Sequence, residues 1–258
     1  MYNKIGVGYN TTRKADPHIA GRLFSLLAPE NGKTYMDIGC GTGNYTIKLS
    51  EMGADFIGVE LSELMLEEAR SKSDLVTWVH GNAESIPLAN SSIDGAVGTL
   101  TIHHWGNLER GFSEVARVLK PGSLFVIFSF TPEQKQGYWL NHFFPEIMER
   151  SRNISVPLTA VNNAATKAGM TIVQTEKYFV KDDVEDMFGY CGKNNPELYF
   201  DPLIRKGISW FSTLKNKDEE TNGLRHLRES IDTGEFEQIR KQYENEEGDY
   251  LFIVLRKG

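Results

Sequence analysis

A chain of 258 residues, 40% hydrophobic and 24% charged, has the make-up of a soluble globular protein with a sizeable core, which excludes long disorder. Its 28 Lys+Arg against 35 Asp+Glu leave a net charge of −7, a poor match for a nucleic-acid backbone, whose binding needs clustered cations. Only Cys40 and Cys191 are present, with no His/Cys run at zinc spacing, so a disulfide scaffold is excluded.

Asp16-Pro17 marks the start of a helix running through Leu27. From 34 to 130, short apolar runs alternate with helical patterns, as in a parallel sheet with crossover helices. Strands are expected at 34–38, 54–60, 75–80, 93–100 and 123–130. A helix at 44–52 closes on Gly53, and Ser62 caps another reaching about Lys72, with Leu64, Leu66 and Ala69 on its partly apolar sides. Segment 107–120 is the clearest helix. Asn107 caps it, Leu108, Phe112, Val115 and Leu119 recur at helical spacing, and Pro121-Gly122 stops it. The crossover at 81–92 is too short to read as a helix.

Further on, 158–167 reads as a helix ended by Gly169, followed by a strand at 171–180. A last strand at 250–256 is expected to pair antiparallel with it at the sheet edge. Between them, 181–249 is rich in charge and aromatics, with helical patterns near 201–214 and 235–245. It reads as an insertion over one end of the sheet, within one domain spanning 1–258. The expected fold is α/β: a Rossmann-like doubly wound sheet, mostly parallel with an antiparallel C-terminal edge hairpin, plus a helical lid insertion. Residues 1–30 form a helical leader, 34–130 the core and 131–170 a helical connection. The longest apolar runs fall far short of the ~20 residues of a membrane span. Met1-Tyr2-Asn3-Lys4 leads into no apolar signal segment, so a cytoplasmic location is expected and no membrane partner.

The chemistry concentrates at Asp37-Ile38-Gly39-Cys40-Gly41-Thr42-Gly43-Asn44, where a strand runs through three glycines into a helix. Such a turn lets a ligand approach the backbone closely. The dinucleotide fingerprint GxGxxG requires glycine at 44, where Asn44 stands. Asp37 suits a cationic group better than a pyrophosphate. Glu60 ends the second strand about 20 positions after Gly39, the distance at which a carboxylate accepts hydrogen bonds from ribose hydroxyls.

Together with Gly81-Asn82-Ala83-Glu84-Ser85-Ile86-Pro87, Ile93-Asp94-Gly95-Ala96-Val97 and the run 115–123, these residues resemble the class I S-adenosylmethionine-dependent methyltransferases, most closely the type 11 branch of small-molecule enzymes. The resemblance covers roughly residues 30–130 in detail. It implies S-adenosylmethionine as cofactor, with Gly39, Gly41 and the Cys40 backbone beside the methionine moiety and Asp37 near its amino group. Glu60 is implied at the ribose hydroxyls and Leu61 on the adenine face. Asn82, Ala83 and Glu84 fall at the adenine edge, and Thr99 and Leu100 flank the cofactor. Many relatives carry Asp where Asn82 stands; an amide keeps a carbonyl acceptor. Cys40 is explained as a small side chain beside glycines, not as a catalytic thiol.

Ligands of open parallel sheets sit beyond the carboxyl ends of the strands. There the fourth strand ends in Thr99-Leu100-Thr101-Ile102-His103-His104-Trp105. His103 and His104 are candidate general bases facing the methyl-transfer site, with side chains expected to point different ways; a purely structural role is the competing reading. In related enzymes a leader resembling 6–13 folds over the cofactor, which makes Arg13 a cofactor contact and Tyr9 a substrate contact. Trp105, Tyr138, Trp139 and Trp210 are candidates for an aromatic acceptor wall, which would suit planar or apolar acceptors. The function implied is transfer of a methyl group to a small-molecule acceptor. The alternatives are a tRNA or protein methyltransferase, a non-catalytic S-adenosylmethionine-binding protein and, third, a nicotinamide dehydrogenase.

Overall fold

The computed structural model describes residues 12–213 and 216–258. Asp16 opens the first helix, α1 (Pro17–Leu27), by accepting the amides of His18 and Ile19 at 3.0 Å, with proline at N1. Then come β1 (Thr34–Ile38), α2 (Asn44–Glu51), β2 (Asp55–Glu60), α3 (Glu63–Lys72), β3 (Thr77–His80) and β4 (Ile93–Thr99). A 3-10 turn at Ile102–His104 leads to α4 (Leu108–Val118) and β5 (Leu119–Ser129). The connection that follows carries α5 (Pro132–Gln136), α6 (Leu140–Phe143), α7 (Pro145–Asn153) and α8 (Leu158–Lys167). After β6 (Met170–Tyr178) come α9 (Pro202–Gly207), α10 (Ser209–Thr213), α11 (Lys217–Thr233), α12 (Phe236–Gln242) and β7 (Tyr250–Lys257).

The seven strands lie in the order β3-β2-β1-β4-β5-β7-β6. The first five run parallel, and β7 is antiparallel to both β5 and β6. This bears out the Rossmann-like fold and its antiparallel C-terminal pair, with one correction: β7 is inserted between β5 and β6, so β6 alone forms that edge. The reason is readable in β7 itself, where Tyr250 to Leu255 are all buried, a run that needs cover on both faces. A second correction concerns the clearest helix. It ends at Val118, because Leu119 already pairs with Ile93 in the sheet, so β5 begins before Pro121-Gly122.

Both faces of the sheet are packed. Val97, Val126 and Phe128 face a cluster containing α1 residues and the aromatic side chains of the insertion. Ala96, Phe125 and Ile127 face α4 and α8 residues on the other side. The alternation of consecutive strand residues between two apolar layers is the period-2 rule of a pleated sheet. Among the described residues no helix is long and apolar enough to cross a membrane.

The insertion shares the first apolar cluster with the sheet through Phe188, Tyr190, Tyr199, Trp210 and Phe236. Its longest helix, α11, lies outside the helical patterns expected from the sequence. The signals for it are nevertheless present: Asn216 caps the amides of Asp218 and Glu219, acidic residues fill the first turn, and Gly234 closes the end at φ 79°. The insertion is tied to the start of α1 by the exposed His18–Asp183 and His18–Lys181 contacts and, in the interior, by the Asp16 carboxylate. Asp16 is fully buried, and its Oδ2 accepts the Glu185 amide at 3.1 Å. Asp16→Ala is therefore expected to cost about 2–4 kcal/mol, a lost helix cap plus a buried unpaired amide, and to loosen 184–189 first. Chemical denaturation with amide exchange at Glu185 checks this; full protection of that amide in the variant would refute it.

Candidate active site

Strand order reverses between β1 and β4, since β1 pairs with β2 on one side and β4 on the other. The loops after these two strands consequently diverge and leave a crevice at their carboxyl ends. A cavity of about 440 Å³ occupies it, within the range of small-molecule sites.

The glycine loop forms its floor. Gly39, Gly41 and Gly43 have φ of 72°, 57° and 79°, a region that favours glycine. Each glycine answers to a different neighbour. A Cβ on Gly39 would stand 2.0 Å from Thr101 Oγ1, so this glycine lets the β1 loop touch the end of β4. A Cβ on Gly41 would meet nothing closer than Met65 Sδ at 3.9 Å, and the residue faces the cavity. Gly43 makes room for the Trp78 ring at 2.3 Å rather than for a ligand.

Asp37 is 1% exposed beneath this loop. Its Oδ2 accepts a hydrogen bond from Thr46 Oγ1 at 2.6 Å, while Oδ1 is buried with no partner among the described residues. Burial, partly offset by the Thr46 bond and reinforced by nearby Glu60, pushes the carboxyl up to about 7. An orphaned buried acceptor beside an open cradle fits an ammonium group. Glu60 Oε2 accepts the Gly41 amide at 3.0 Å and Oε1 the Ser62 amide at 2.9 Å. Each oxygen keeps a second lone pair, which suits a pair of neighbouring hydroxyls. Leu61, 58% exposed, offers an uncovered apolar face next to it. Asn82 Oδ1 accepts the Glu84 amide at 3.0 Å, and Glu84 Oε1 accepts the Asn107 amide at 2.9 Å, so this loop is rigidly held with Ala83 buried between them. Burial and the Asp37 and Glu60 charges raise the Cys40 thiol well above its ordinary value, which keeps it un-ionised.

The other half of the cavity begins at Leu100, whose φ of 51° is uncommon for a branched side chain and marks the point where the chain leaves β4. The 3-10 turn then presents both histidines to the cavity. They do not point apart as the sequence suggests. Their rings lie 3.8 Å apart, tilted by 48°. His103 also rests on Phe130 at 4.8 Å, and its Nδ1 is buried with no partner among the described residues. Desolvation lowers both imidazoles, followed for His103 by His104 and Lys135 and for His104 by Lys135 and Arg13; His104 comes down to about 4. His104 is exposed and lines the cavity. Both are neutral at physiological pH.

Of the expected site residues, Arg13, Asp37, Gly39, Cys40, Gly41, Glu60, Leu61, Asn82, Ala83, Glu84, Thr99, Leu100, His103, His104, Trp105 and Trp210 share this one cavity. Tyr9 lies outside the described residues. Tyr138 and Trp139 are corrections. Tyr138 stacks on Tyr190 at 3.9 Å and hydrogen-bonds the Asp249 carbonyl, and Trp139 packs edge-on against Tyr199 and Phe236, so both are core rather than cavity wall. Arg13 is held by fully buried Asp186, with Nε to Oδ1 at 2.5 Å and Nη2 to Oδ2 at 3.2 Å, and Tyr45 OH donates to Oδ2 at 3.1 Å. Asp186 is missed by sequence reasoning, as are the wall residues Phe130, Phe188 and Tyr250. Asp186 sits in an acidic run that reads as a solvated face; nothing local marks it as the buried member.

Comparison with known proteins is consistent with this geometry. Residues 36–127 match a family model described as "Methyltransferase domain". The chain is 32% identical over 175 residues to the biotin biosynthesis bifunctional protein BioHC of Cellvibrio japonicus, covering 66% of this chain and 34% of that protein. It is 35% identical over 138 residues to an uncharacterized methyltransferase of Mycobacterium tuberculosis, covering 54% of this chain and 56% of the other. The chain thus spans a third to just over half of these relatives' own length. A solved structure from Anabaena variabilis, ascribed as a methyltransferase to an antibiotic biosynthesis pathway, superposes with a TM-score of 0.84 at 29% identity, covering 96% of this chain and 99% of that one.

The raised Asp37 sets a pH dependence. A folded-state value above the unfolded one means stability that is present in full below the unfolded value and lost as pH rises through about 7. Asp37→Asn removes this loss, so at mildly alkaline pH the ligand-free variant is expected to be more stable than the wild type by about 1–3 kcal/mol, with no gain in acid. Denaturation curves at the two pH values check it; an equal change at both would refute it.

Proposed function

We propose, from the membership of this chain in the class I S-adenosylmethionine-dependent methyltransferases of the type 11 branch, that it transfers a methyl group from S-adenosylmethionine to a small-molecule acceptor by in-line displacement. The observation that carries this reading is the continuity of the cavity: the Asp37–Gly41–Glu60 cradle and the His103–His104 turn open into the same space.

S-adenosylmethionine supplies, when bound, a methyl group already activated by a sulfonium. The task of the chain is then to bind, align and desolvate. Asp37 Oδ1 holds the amino group, the Gly39–Gly41 backbone lies beside the methionine moiety with the open face of Gly41 toward it, and Glu60 takes the ribose hydroxyls. Leu61 covers the adenine and Ala83 meets its edge. On the acceptor side, Trp105 and Trp210 line the reacting centre, and the Arg13–Asp186 pair stands at the wall of the same cavity. His104 receives the acceptor proton at its ring nitrogen, with His103 stacked beneath it as support. An imidazole lowered to about 4 is a weak base, so it serves acceptors that ionise readily.

Calorimetric titration tests the reading. S-adenosylmethionine and S-adenosylhomocysteine are expected to bind in the micromolar range, NADH not to bind, and Asp37→Ala to weaken both adenosyl ligands by about tenfold or more. Saturable NADH binding without adenosyl-ligand binding would overturn it. With a turned-over acceptor, His104→Ala is expected to lower kcat about 100-fold. The acid limb of the wild-type pH profile should lie near the lowered His104 value of about 4, because a lowered imidazole stays neutral into more acidic solution. A limb at the ordinary imidazole value would remove His104 from the role of base.

A further inference from the structure

We infer that Lys135, set behind the aromatic wall of the cavity, determines acceptor specificity by making the chamber select a planar hydroxyl compound, a phenol or an enol, in its oxyanion form. This rests on the acceptor-side reading given above and names the substrate class for it.

Lys135 lies in α5 and is 0% exposed. Among the described residues no carboxylate pairs with it. Its Nζ donates to Ser151 Oγ at 2.6 Å and to the Ser151 carbonyl at 3.1 Å, and it stands over the face of Phe130, 3.8 Å from the ring centroid. These are three acceptors for the three N–H bonds of an ammonium, two lone pairs and one π face. A second cavity-wall ring, Trp210, has its centroid 4.9 Å away. Burying an ammonium without a counter-charge is costly, and a methionine of similar length would fill the space. The structure therefore keeps an amine without a counter-charge directly behind the wall, and a negative charge in the chamber would favour its protonated form.

The surroundings leave that amine to respond to the chamber. The titratable and charged groups near it are Arg152 on α7, which is also positive, and His103 and His104 across Phe130. Burial and Arg152 push the Lys135 amine well below its ordinary value, and an anion in the chamber would raise it again by favouring the protonated form. Arg13 and Asp186 pair with each other across the lid, and Tyr250 on β7 is held un-ionised by burial. The carboxylates that line the same cavity, Asp37, Glu60, Glu84 and Asp186, are each hydrogen-bonded within the protein. At low dielectric the protonated amine favours an oxyanion over its neutral hydroxyl, and the walls of Phe130, Phe188 and Trp210 favour a flat ring carrying it. The weakly basic histidines fit the same acceptor, since a phenol or enol needs little help to ionise. Lys135 touches neither substrate nor cofactor and acts through the ring as a positioning residue.

The test uses para-nitrophenol, whose phenolate is yellow, with the full chain saturated by S-adenosylhomocysteine. Absorbance titrations from mildly acidic to mildly alkaline pH are expected to show the wild type binding the phenolate in preference to the phenol by about tenfold or more. Lys135→Met should lose that preference, Lys135→Arg should keep it, and S-adenosylhomocysteine affinity should be the same in all three. The Lys135 Nζ resonance of the wild type, followed by NMR, should move on adding phenolate but not phenol, which decides the matter even if Lys135→Met does not fold. Equal binding of the two forms, no binding, or a preference that survives Lys135→Met would overturn the inference. Failure of the wild type to bind S-adenosylhomocysteine is a separate result that strikes the methyl-transfer reading itself.

Discussion

The contact on which the rest of the site depends is the close approach of Gly39 to Thr101. Two loops that diverge from neighbouring strands β1 and β4 would ordinarily be kept apart by their side chains. Here one of them has none, and Thr101 Oγ1 fills the place where a Cβ would be. That approach fixes the glycine cradle against the turn bearing His103 and His104, so the two halves of the cavity form one space. The positive φ of Leu100 belongs to the same arrangement, because the chain must leave β4 abruptly to bring Thr101 under the glycine loop.

Charge is distributed unevenly around this junction. On the cradle side, Asp37 and Glu60 present carboxylate oxygens to the cavity, one of them buried and unmatched. On the other side stand neutral histidines, aromatic rings and a lysine hidden behind them. A ligand with a cationic end would settle at the first and an electron-rich group at the second, which is the polarity that the proposed methyl transfer needs between donor and acceptor. The low dielectric of the enclosed space strengthens both preferences.

The insertion connects enclosure to stability. Asp16 caps α1 and holds the Glu185 amide, and Asp186 beside it grips Arg13 and Tyr45. Consecutive residues of one loop are therefore fastened to the start of the chain and to the helix after the glycine turn. Each fastening is a buried carboxylate satisfied by several donors, the form in which buried charge is tolerated. The same loop supplies Phe188 to the cavity wall, so a change that loosens the loop also alters the cavity.

The sequence by itself determined the strand-helix alternation of the core, the antiparallel pairing of the last two strands and the cradle residues Asp37, Gly39, Gly41 and Glu60. These are legible because they are local: period-2 runs, helix caps and a glycine turn each depend on residues a few positions apart. It also marked the histidines by their place at a strand end, though not that their rings stack. Tertiary structure alone decided the insertion of β7 between β5 and β6, which depends on cover from distant elements over both faces. It decided that Gly43 serves Trp78, that Tyr138 and Trp139 are core, and that Asp186 and Lys135 are buried. A charged residue reads as solvated wherever it stands in a polar stretch, and only tertiary packing turned these two residues inward, Asp186 against Arg13 173 positions away and Lys135 against Ser151 and the rings of Phe130 and Trp210.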